Sequence, residues 1–486
     1  MSNLEERILF KNAYIFSGED ATLCRGDLLV EGNIIAQVAF RPDIIENTEP
    51  HEPIEGSVQV SIPRPTHIID GSGLLLLPGF VDGHTHLLQT FGRGLMDGLP
   101  LTQWLPLIWE YELSWEGYYY STLLGALEAL MSGTTCVSEM ITECKHPDAV
   151  VQAIIDSGIR ATVGLSIADY MEGENTPVKA TDVALSQAAE FANKWHGAAG
   201  GRIRASIAPV GLPACTLDLM RGARKLADDY DLCLHTHACE GRTETESALS
   251  RFGKSEIAVL KECGVLTDRT ELVHVIWVTD DDIEMIAESG AAVVQCPSSN
   301  VRLLDGVTPV VVMKGKGIPV SLGCDGAASS GSYDLLVEGR FAALLQRMTL
   351  SDAKALNPVE ILLMLTQDGA RAAGWVRKER CSLHAAPAPV QAGVGQLVAG
   401  AAADIVGFDL SSPRLAAAEL QALLSNLVFA GSTRDLRFVM IDGRKVIEDG
   451  AHVGIDITNT VEKAKEVMQK ENVPTSQLNM ASVIPW

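Results

Sequence analysis

From residue 78 onward the chain alternates short apolar runs with helix-type stretches eight times, and few architectures accept that pattern. The runs are 79–81, 134–137, 160–165, 203–209, 232–234, 271–275, 291–296 and 318–323. Stretches of helical periodicity, such as 121–131, 217–229 and 280–288, separate them. Eight such units over roughly 300 residues fit a closed (β/α)8 barrel of the TIM type better than an open doubly wound sheet. No Gly-x-Gly-x-x-Gly opens a helix after the first run, which counts against dinucleotide binding.

The segments outside the barrel read differently. In 1–77, the runs Ile8-Leu9-Phe10, Asp27-Leu28-Leu29-Val30 and Ile34-Ile35-Ala36-Gln37-Val38 are split by Gly and Asn turn signals, as strands are. Residues 42–66 are acidic, carry prolines and read as an exposed loop. The barrel is expected over 78–380, followed by an Ala/Pro-rich connector at 381–394. Strand-like runs return at 395–398, 404–408 and 438–443 within 395–455, and 456–486 reads as a helix and a polar tail. β-rich segments at both ends imply one small β-sandwich domain built from the two termini, giving an α/β chain with a barrel between them.

The chemistry sits where the apolar runs end. Residues 74–83 lead into His84-Thr85-His86, and alternate residues of a strand share a face, so both imidazoles can reach one ion. A borderline-soft divalent metal accepts imidazole nitrogen and carboxylate oxygen. The second cluster is His235-Thr236-His237, with Glu240 three residues on; Glu271-Leu272-Val273 leads to His274, and 319–324 leads to Asp325-Gly326. Catalytic groups of a (β/α)8 barrel collect at the C-terminal ends of its strands. Only 11 histidines occur, and His84, His86, His237 and His274 are four of them. Polar residues hydrogen-bonded at strand ends would be the bland explanation of any one pair; four such ends in order favour one hydrolytic metal centre. His235 lies on the same strand face as His237 but deeper, and reads as support for the site. His51, His67, His146, His196, His384 and His452 have no motif context and read as surface residues.

Charge narrows the partners. A formal net charge of -24 argues against nucleic acid and anionic membrane surfaces. The first residues lack a basic stretch followed by an apolar core, so a cytoplasmic location without a secretory signal is expected. No apolar stretch is long enough to cross a bilayer. The 10 cysteines form no Cys-x-x-Cys pair and read as reduced thiols; Cys239, Cys296 and Cys324 read as strand packing beside the site.

Pro78-Gly79-Phe80-Val81-Asp82-Gly83-His84-Thr85-His86 resembles the opening signature of the amidohydrolase superfamily, in the branch of adenosine-type and guanine deaminases and s-triazine hydrolases. Gly98-Leu99-Pro100-Leu101-Thr102-Gln103-Trp104-Leu105, Ser132-Gly133-Thr134-Thr135, Cys296-Pro297-Ser298-Ser299-Asn300, Gly323-Cys324-Asp325-Gly326-Ala327-Ala328-Ser329 and Gly400-Ala401-Ala402-Ala403-Asp404-Ile405-Val406 extend the match over nearly the whole chain. The resemblance implies that His84, His86, His237 and Asp325 bind one divalent metal, zinc or alternatively iron. It implies that Asp325 accepts a proton from water, His274 orients that water and Glu240 protonates a ring nitrogen. The strand-four segment 204–210 lacks the lysine of binuclear members, which implies a mononuclear centre. A homodimer is also implied.

Substrate contacts are expected from Gln89, Trp104, Trp109, Glu112, Gln295, Asn300 and Ser329. Trp104 and Trp109 could stack on a flat ring. Three positions depart from the methylthioadenosine and adenosylhomocysteine deaminases. Pro209-Val210-Gly211 lacks their histidine, Gln295 replaces a histidine, and Ser329-Ser330 replaces Ser-Asn. These departures are similar to the variation among triazine hydrolases. The leading expectation is an aminohydrolase of an amino-substituted purine, pterin or s-triazine. The alternatives are the same machinery expelling halide or alkylamine, and a non-catalytic scaffold relative, which the intact ligand set disfavours.

Overall fold

The computed structural model describes residues 6–18, 21–40, 65–142, 144–170, 178–376, 393–416 and 419–471. The expected loop at 42–66, the connector at 381–394 and the tail beyond residue 471 fall wholly or largely outside the described residues, as do His51 and His384.

The chain opens with five strands: β1 (Arg7–Phe16), β2 (Leu23–Glu31), β3 (Ile34–Phe40), β4 (His67–Asp70) and β5 (Leu74–Pro78). The barrel strands follow as β6 (Phe80–His86), β7 (Thr134–Ile141), β8 (Arg160–Ile167), β9 (Ile203–Pro209), β10 (Cys233–Ala238), β11 (Thr270–His274), β12 (Ala292–Gln295), β13 (Val320–Leu322) and β14 (Asp325–Gly326). Each barrel strand pairs in parallel with the next from β6 to β13, and β14 pairs in parallel with β6. Gly323-Cys324 alone separates β13 from β14, so the two are halves of one eighth strand. Its first half pairs with β12 and its second half closes the barrel. Asp82 reinforces that seam: its Oδ1 accepts from the backbone N–H of Cys324 at 3.0 Å and of His84 at 3.2 Å. Nine paired segments thus make the eight-stranded parallel barrel expected of the sequence.

Crossover helices form where caps and periodicity agree. Leu217–Asp229 starts at Thr216, whose Oγ1 accepts from the Leu219 N–H at 3.2 Å. Asp280–Ser289 starts with a reciprocal Thr279/Asp282 cap and ends at Gly290 with φ 77°. The helix expected at 121–131 begins earlier, at Trp115, because Ser114 caps it.

Two barrel strands also run longer than their apolar runs. β6 continues through His84-Thr85-His86, and β7 continues through Ser138 and Glu139, both fully buried. Glu139 accepts from the Leu87 N–H and from Thr85 Oγ1 at 2.7 Å, so the polar end of β7 holds the turn that follows His86.

The last strands are β15 (Ile405–Asp409), β16 (Leu436–Ile441), β17 (Arg444–Glu448) and β18 (Ala451–His452). They join the N-terminal strands in one mixed nine-stranded sheet, with β15 antiparallel to β5. Two strands lie between β1 and β16, yet Phe10 stacks on Phe438 at 5.4 Å, so the sheet folds over its own core. Arg160 on β8 fastens this sheet to the barrel. Its guanidinium donates to Asp404 Oδ2 at 2.7 Å and Oδ1 at 3.0 Å and to Asp442, and lies over Trp375. No helix among the described residues is long and apolar enough to cross a membrane.

Candidate active site

At the C-terminal mouth of the barrel, His84 and His86 from β6 and His237 from β10 bring one ring nitrogen each within 4.8 Å of one another. Asp325, on the closing half-strand, turns Oδ1 toward them, 3.5 Å from His84 Nε2 and 3.6 Å from His86 Nε2. A tetrahedral site with ligand bonds of about 2.1 Å has edges of about 3.4 Å. The His–Asp separations are therefore those of ligands around one ion.

Hydrogen bonds decide which nitrogen each ring offers. The Nδ1–H of His86 donates to the Met140 carbonyl at 2.6 Å, and that of His237 to the Val210 carbonyl at 2.8 Å. A carbonyl can only accept, so both rings present Nε2 as a lone pair. His84 Nδ1 lies 2.9 Å from His235 Nε2, and His84 Nε2 is buried without a hydrogen bond among the described residues. An orphaned buried nitrogen aimed at a carboxylate and two further imidazoles fits a divalent cation.

Electrostatics agree with a cation site. Burial, then the neighbouring histidines, depresses His237 to about 3, and burial holds His84 far below its ordinary range. Neutral imidazoles are the form that ligates. Burial opposes the charge on Asp325, and with the rings neutral it is a cation between them that would hold the carboxylate ionised. Its Oδ2 accepts from Ser299 Oγ at 2.6 Å and Ser329 Oγ at 3.1 Å.

Beside this cluster, His274 Nε2 lies 3.5 Å from Glu240 Oε1. His274 Nδ1 meets Asn300 Oδ1 at 2.8 Å, an acceptor, so Nε2 again carries the lone pair. Burial keeps His274 neutral, below its ordinary value. Glu240 moves the other way: burial first, then Glu244, Asp305, Asp325 and Glu256, raise it well above the carboxylate range. The shift favours the protonated form of Glu240, the form a general acid needs. The backbone here is strained, with positive φ at Cys239 (52°), His274 (73°), Val275 (48°) and Asp325 (60°).

Comparison with known proteins bears on this arrangement. The model of the "Amidohydrolase family" matches residues 75–380. The chain belongs to the amidohydrolase family. A 5'-deoxyadenosine deaminase of Methanothermobacter thermautotrophicus is 33% identical over 429 residues, covering 88% of this chain and 90% of the relative. A 5-methylthioadenosine/S-adenosylhomocysteine deaminase of Desulforudis audaxviator is 30% identical over 469 residues, covering 96% and 99%. Among solved structures, a zinc-bound adenosine deaminase from Xanthomonas campestris superposes with TM-score 0.81 at 27% identity, covering 95% of this chain and 98% of that one. A triazine hydrolase from Arthobacter aurescens gives TM-score 0.82 over 96% and 100%, but at 22% identity this likeness shows the fold alone.

The expected substrate contacts of this amidohydrolase separate into three groups. Gln89, Trp104 and Gln295 are buried, Gln89 just after β6, Trp104 in the helix Leu101–Trp109 and Gln295 at the end of β12, and Gln89 Oε1, Trp104 Nε1 and Gln295 Nε2 have no hydrogen-bond partner among the described residues. Gln89 packs on Gly326, where an added Cβ would fall 1.9 Å from its Oε1. Asn300 and Ser329 are engaged within the protein, the first by His274 and the second by Asp325. Trp109 and Glu112 are not drawn in. Trp109 is 45% exposed at the end of the helix Leu101–Trp109, and Glu112 pairs with Lys145 at 3.8 Å. Ser299 escaped the sequence reading; its place in the Cys-Pro-Ser-Ser-Asn motif was the available signal.

Proposed function

We propose that this amidohydrolase is a zinc-dependent deaminase of adenine nucleosides, exchanging the ring amino group for hydroxyl and releasing ammonia. The reaction class is hydrolysis of a C–N bond in a cyclic amidine. The observation that carries the reading is geometric: half-buried Glu240 lies 3.5 Å from His274 Nε2, beside the three-imidazole, one-carboxylate cluster. The 30–33% identity to two deaminases of modified adenosines points to the substrate class. It outweighs the departures at Val210, Gln295 and Ser330, which leave His84, His86, His237, Glu240, His274 and Asp325 in place.

His84, His86, His237 and Asp325 would hold the ion. A bound divalent ion supplies Lewis acidity and lowers the pKa of water. His274 Nε2, a fixed lone pair, accepts a hydrogen bond from the attacking water and aims its oxygen at the ring carbon. Asp325 takes the proton released as that water adds. Glu240 delivers its proton to the ring nitrogen, so the C–N double bond opens toward the attacking oxygen. Collapse of the tetrahedral carbon expels ammonia, with Asp325 returning its proton to the leaving nitrogen and Glu240 recovering its own from the ring.

A mass-resolved product screen tests the reading. Zinc-loaded protein is offered adenosine, 5'-deoxyadenosine, methylthioadenosine, adenosylhomocysteine, guanine, pterins and amino- or chloro-s-triazines. Ammonia in equal yield with a hydroxylated purine nucleoside is expected. Loss of halide or alkylamine from a triazine, with nucleosides untouched, overturns it. We also propose a homodimer, which light scattering on the purified chain tests.

A further inference from the structure

His84 differs from the other two histidines of the cluster in what fixes its tautomer. His86 and His237 lean on backbone carbonyls, which only accept. His84 Nδ1 leans on His235 Nε2, and a neutral imidazole nitrogen can be donor or acceptor. One polarity leaves His84 Nε2 as a lone pair; the other puts the proton on Nε2 and closes that ligand position. Something beyond His235 must choose.

The choice is made on β11. Glu271 pairs in register with His235, and its Oε2 lies 3.2 Å from His235 Nδ1. Ser138 Oγ on β7 sits 3.2 Å from the same nitrogen and donates to Glu271 Oε2 at 3.1 Å. Burial raises the Glu271 carboxyl to about 8, and a proton it holds has Oε1 to sit on, since that oxygen has no hydrogen-bond partner among the described residues, so Oε2 accepts in either form. With its single proton spent on Oε2, the Ser138 hydroxyl faces Nδ1 as an acceptor too. His235 therefore donates through Nδ1 and accepts through Nε2, and His84 donates through Nδ1 and exposes Nε2. All four side chains are at most 1% exposed, so water cannot substitute for any of these contacts.

We propose that Glu271, acting through His235, is a positioning residue that sets the His84 tautomer and thereby the grip of the centre on its metal. The inference rests on the metal-centre reading above. Removing an outer partner of a metal-ligating histidine costs about 10- to 100-fold in affinity, and here the loss has a specific cause: the closed tautomer of His84 becomes accessible.

The test is metal release into a chromogenic chelator from zinc-loaded wild type, Glu271→Leu, Glu271→Gln and His235→Phe, alongside the thermal midpoint of each metal-free form. Glu271→Leu and His235→Phe are expected to release zinc about 10- to 100-fold faster. Glu271→Gln keeps a carbonyl oxygen for His235 and is expected to stay within a few-fold of wild type. The cobalt-loaded forms should show altered visible bands in the same two fast-releasing variants. A wild-type release rate in either folded Glu271→Leu or folded His235→Phe overturns the proposal. Wild type that takes up no metal overturns the underlying reading instead, and the two failures are told apart by the wild-type sample alone.

Discussion

Replacing Glu240 by Gln isolates the proton that the proposed reaction needs. Glutamine keeps the shape and can still hydrogen-bond a ring nitrogen, but it has no proton to transfer. Burial and four neighbouring carboxyl groups hold the Glu240 proton well above the ordinary carboxylate range. The variant therefore removes the proton that the general-acid step would use. General acid catalysis is worth about 10²- to 10⁴-fold, or about 2.7–5.5 kcal/mol of barrier at about 1.36 kcal/mol per tenfold. Glu240 lies outside the His84, His86, His237 cluster, with His274 Nε2 as its 3.5 Å neighbour, so zinc content should match wild type. The pH profile adds a sign. Activity that requires protonated Glu240 is lost as pH rises through its raised pKa, and Glu240→Gln should lack that alkaline limb. Steady-state ammonia release across pH, with metal analysis of the same samples, measures both. Turnover within tenfold of wild type, with the alkaline limb intact, would refute the assignment.

Asp325→Ala should lower both turnover and zinc retention, because one carboxylate serves the ion and the proton; full activity with a full complement of zinc would sink the site. Arg160→Met leaves Asp404 buried without its cation, and such a broken pair costs about 3–5 kcal/mol. Urea unfolding should show that loss, while folded Arg160→Met retains zinc. Glu338 is raised by burial from 4.5 to about 8, so its contribution to stability is present below its unfolded pKa and lost as pH rises through about 8. Glu338→Gln keeps an acceptor for the Ser298 N–H and should flatten that alkaline decline, by on the order of several kcal/mol at about 1.36 kcal/mol per pH unit. Thermal midpoints of metal-free protein from pH 5 to pH 9, roughly spanning that titration, check it; parallel curves would refute it.

The barrel was legible because parallel strands buried on both faces leave continuous apolar runs, and the proposed metal ligands stand out as polar residues where those runs stop. The same rule explains what it missed. Ser138, Glu139 and Glu271 are polar inside fully buried strands, and apolarity cannot report a residue whose partner lies on another strand. Glu271 finds His235 only through the β10–β11 register, which no local pattern encodes. Positive φ at His274, Val275 and Asp325 runs against local propensity and is imposed by the closed barrel.

The substrate side was harder to read for a different physical reason, visible in how hydrogen bonds are distributed. Around the proposed ion, Asp325 Oδ2 and the second ring nitrogens of His84, His86, His237 and His274 are each engaged. Such saturation requires particular residue types, which is why the ligating positions form a recognisable pattern. By contrast, Gln89, Trp104 and Gln295 keep buried polar atoms without hydrogen-bond partners among the described residues. Each such atom costs about 1–3 kcal/mol while unmet, a cost that a substrate edge meeting it would recover. A residue whose partner is outside the chain can change with the substrate at little structural cost. On the proposed reading, Gln295 in place of histidine would change which heterocycle edge is bound and leave the reacting groups as they are.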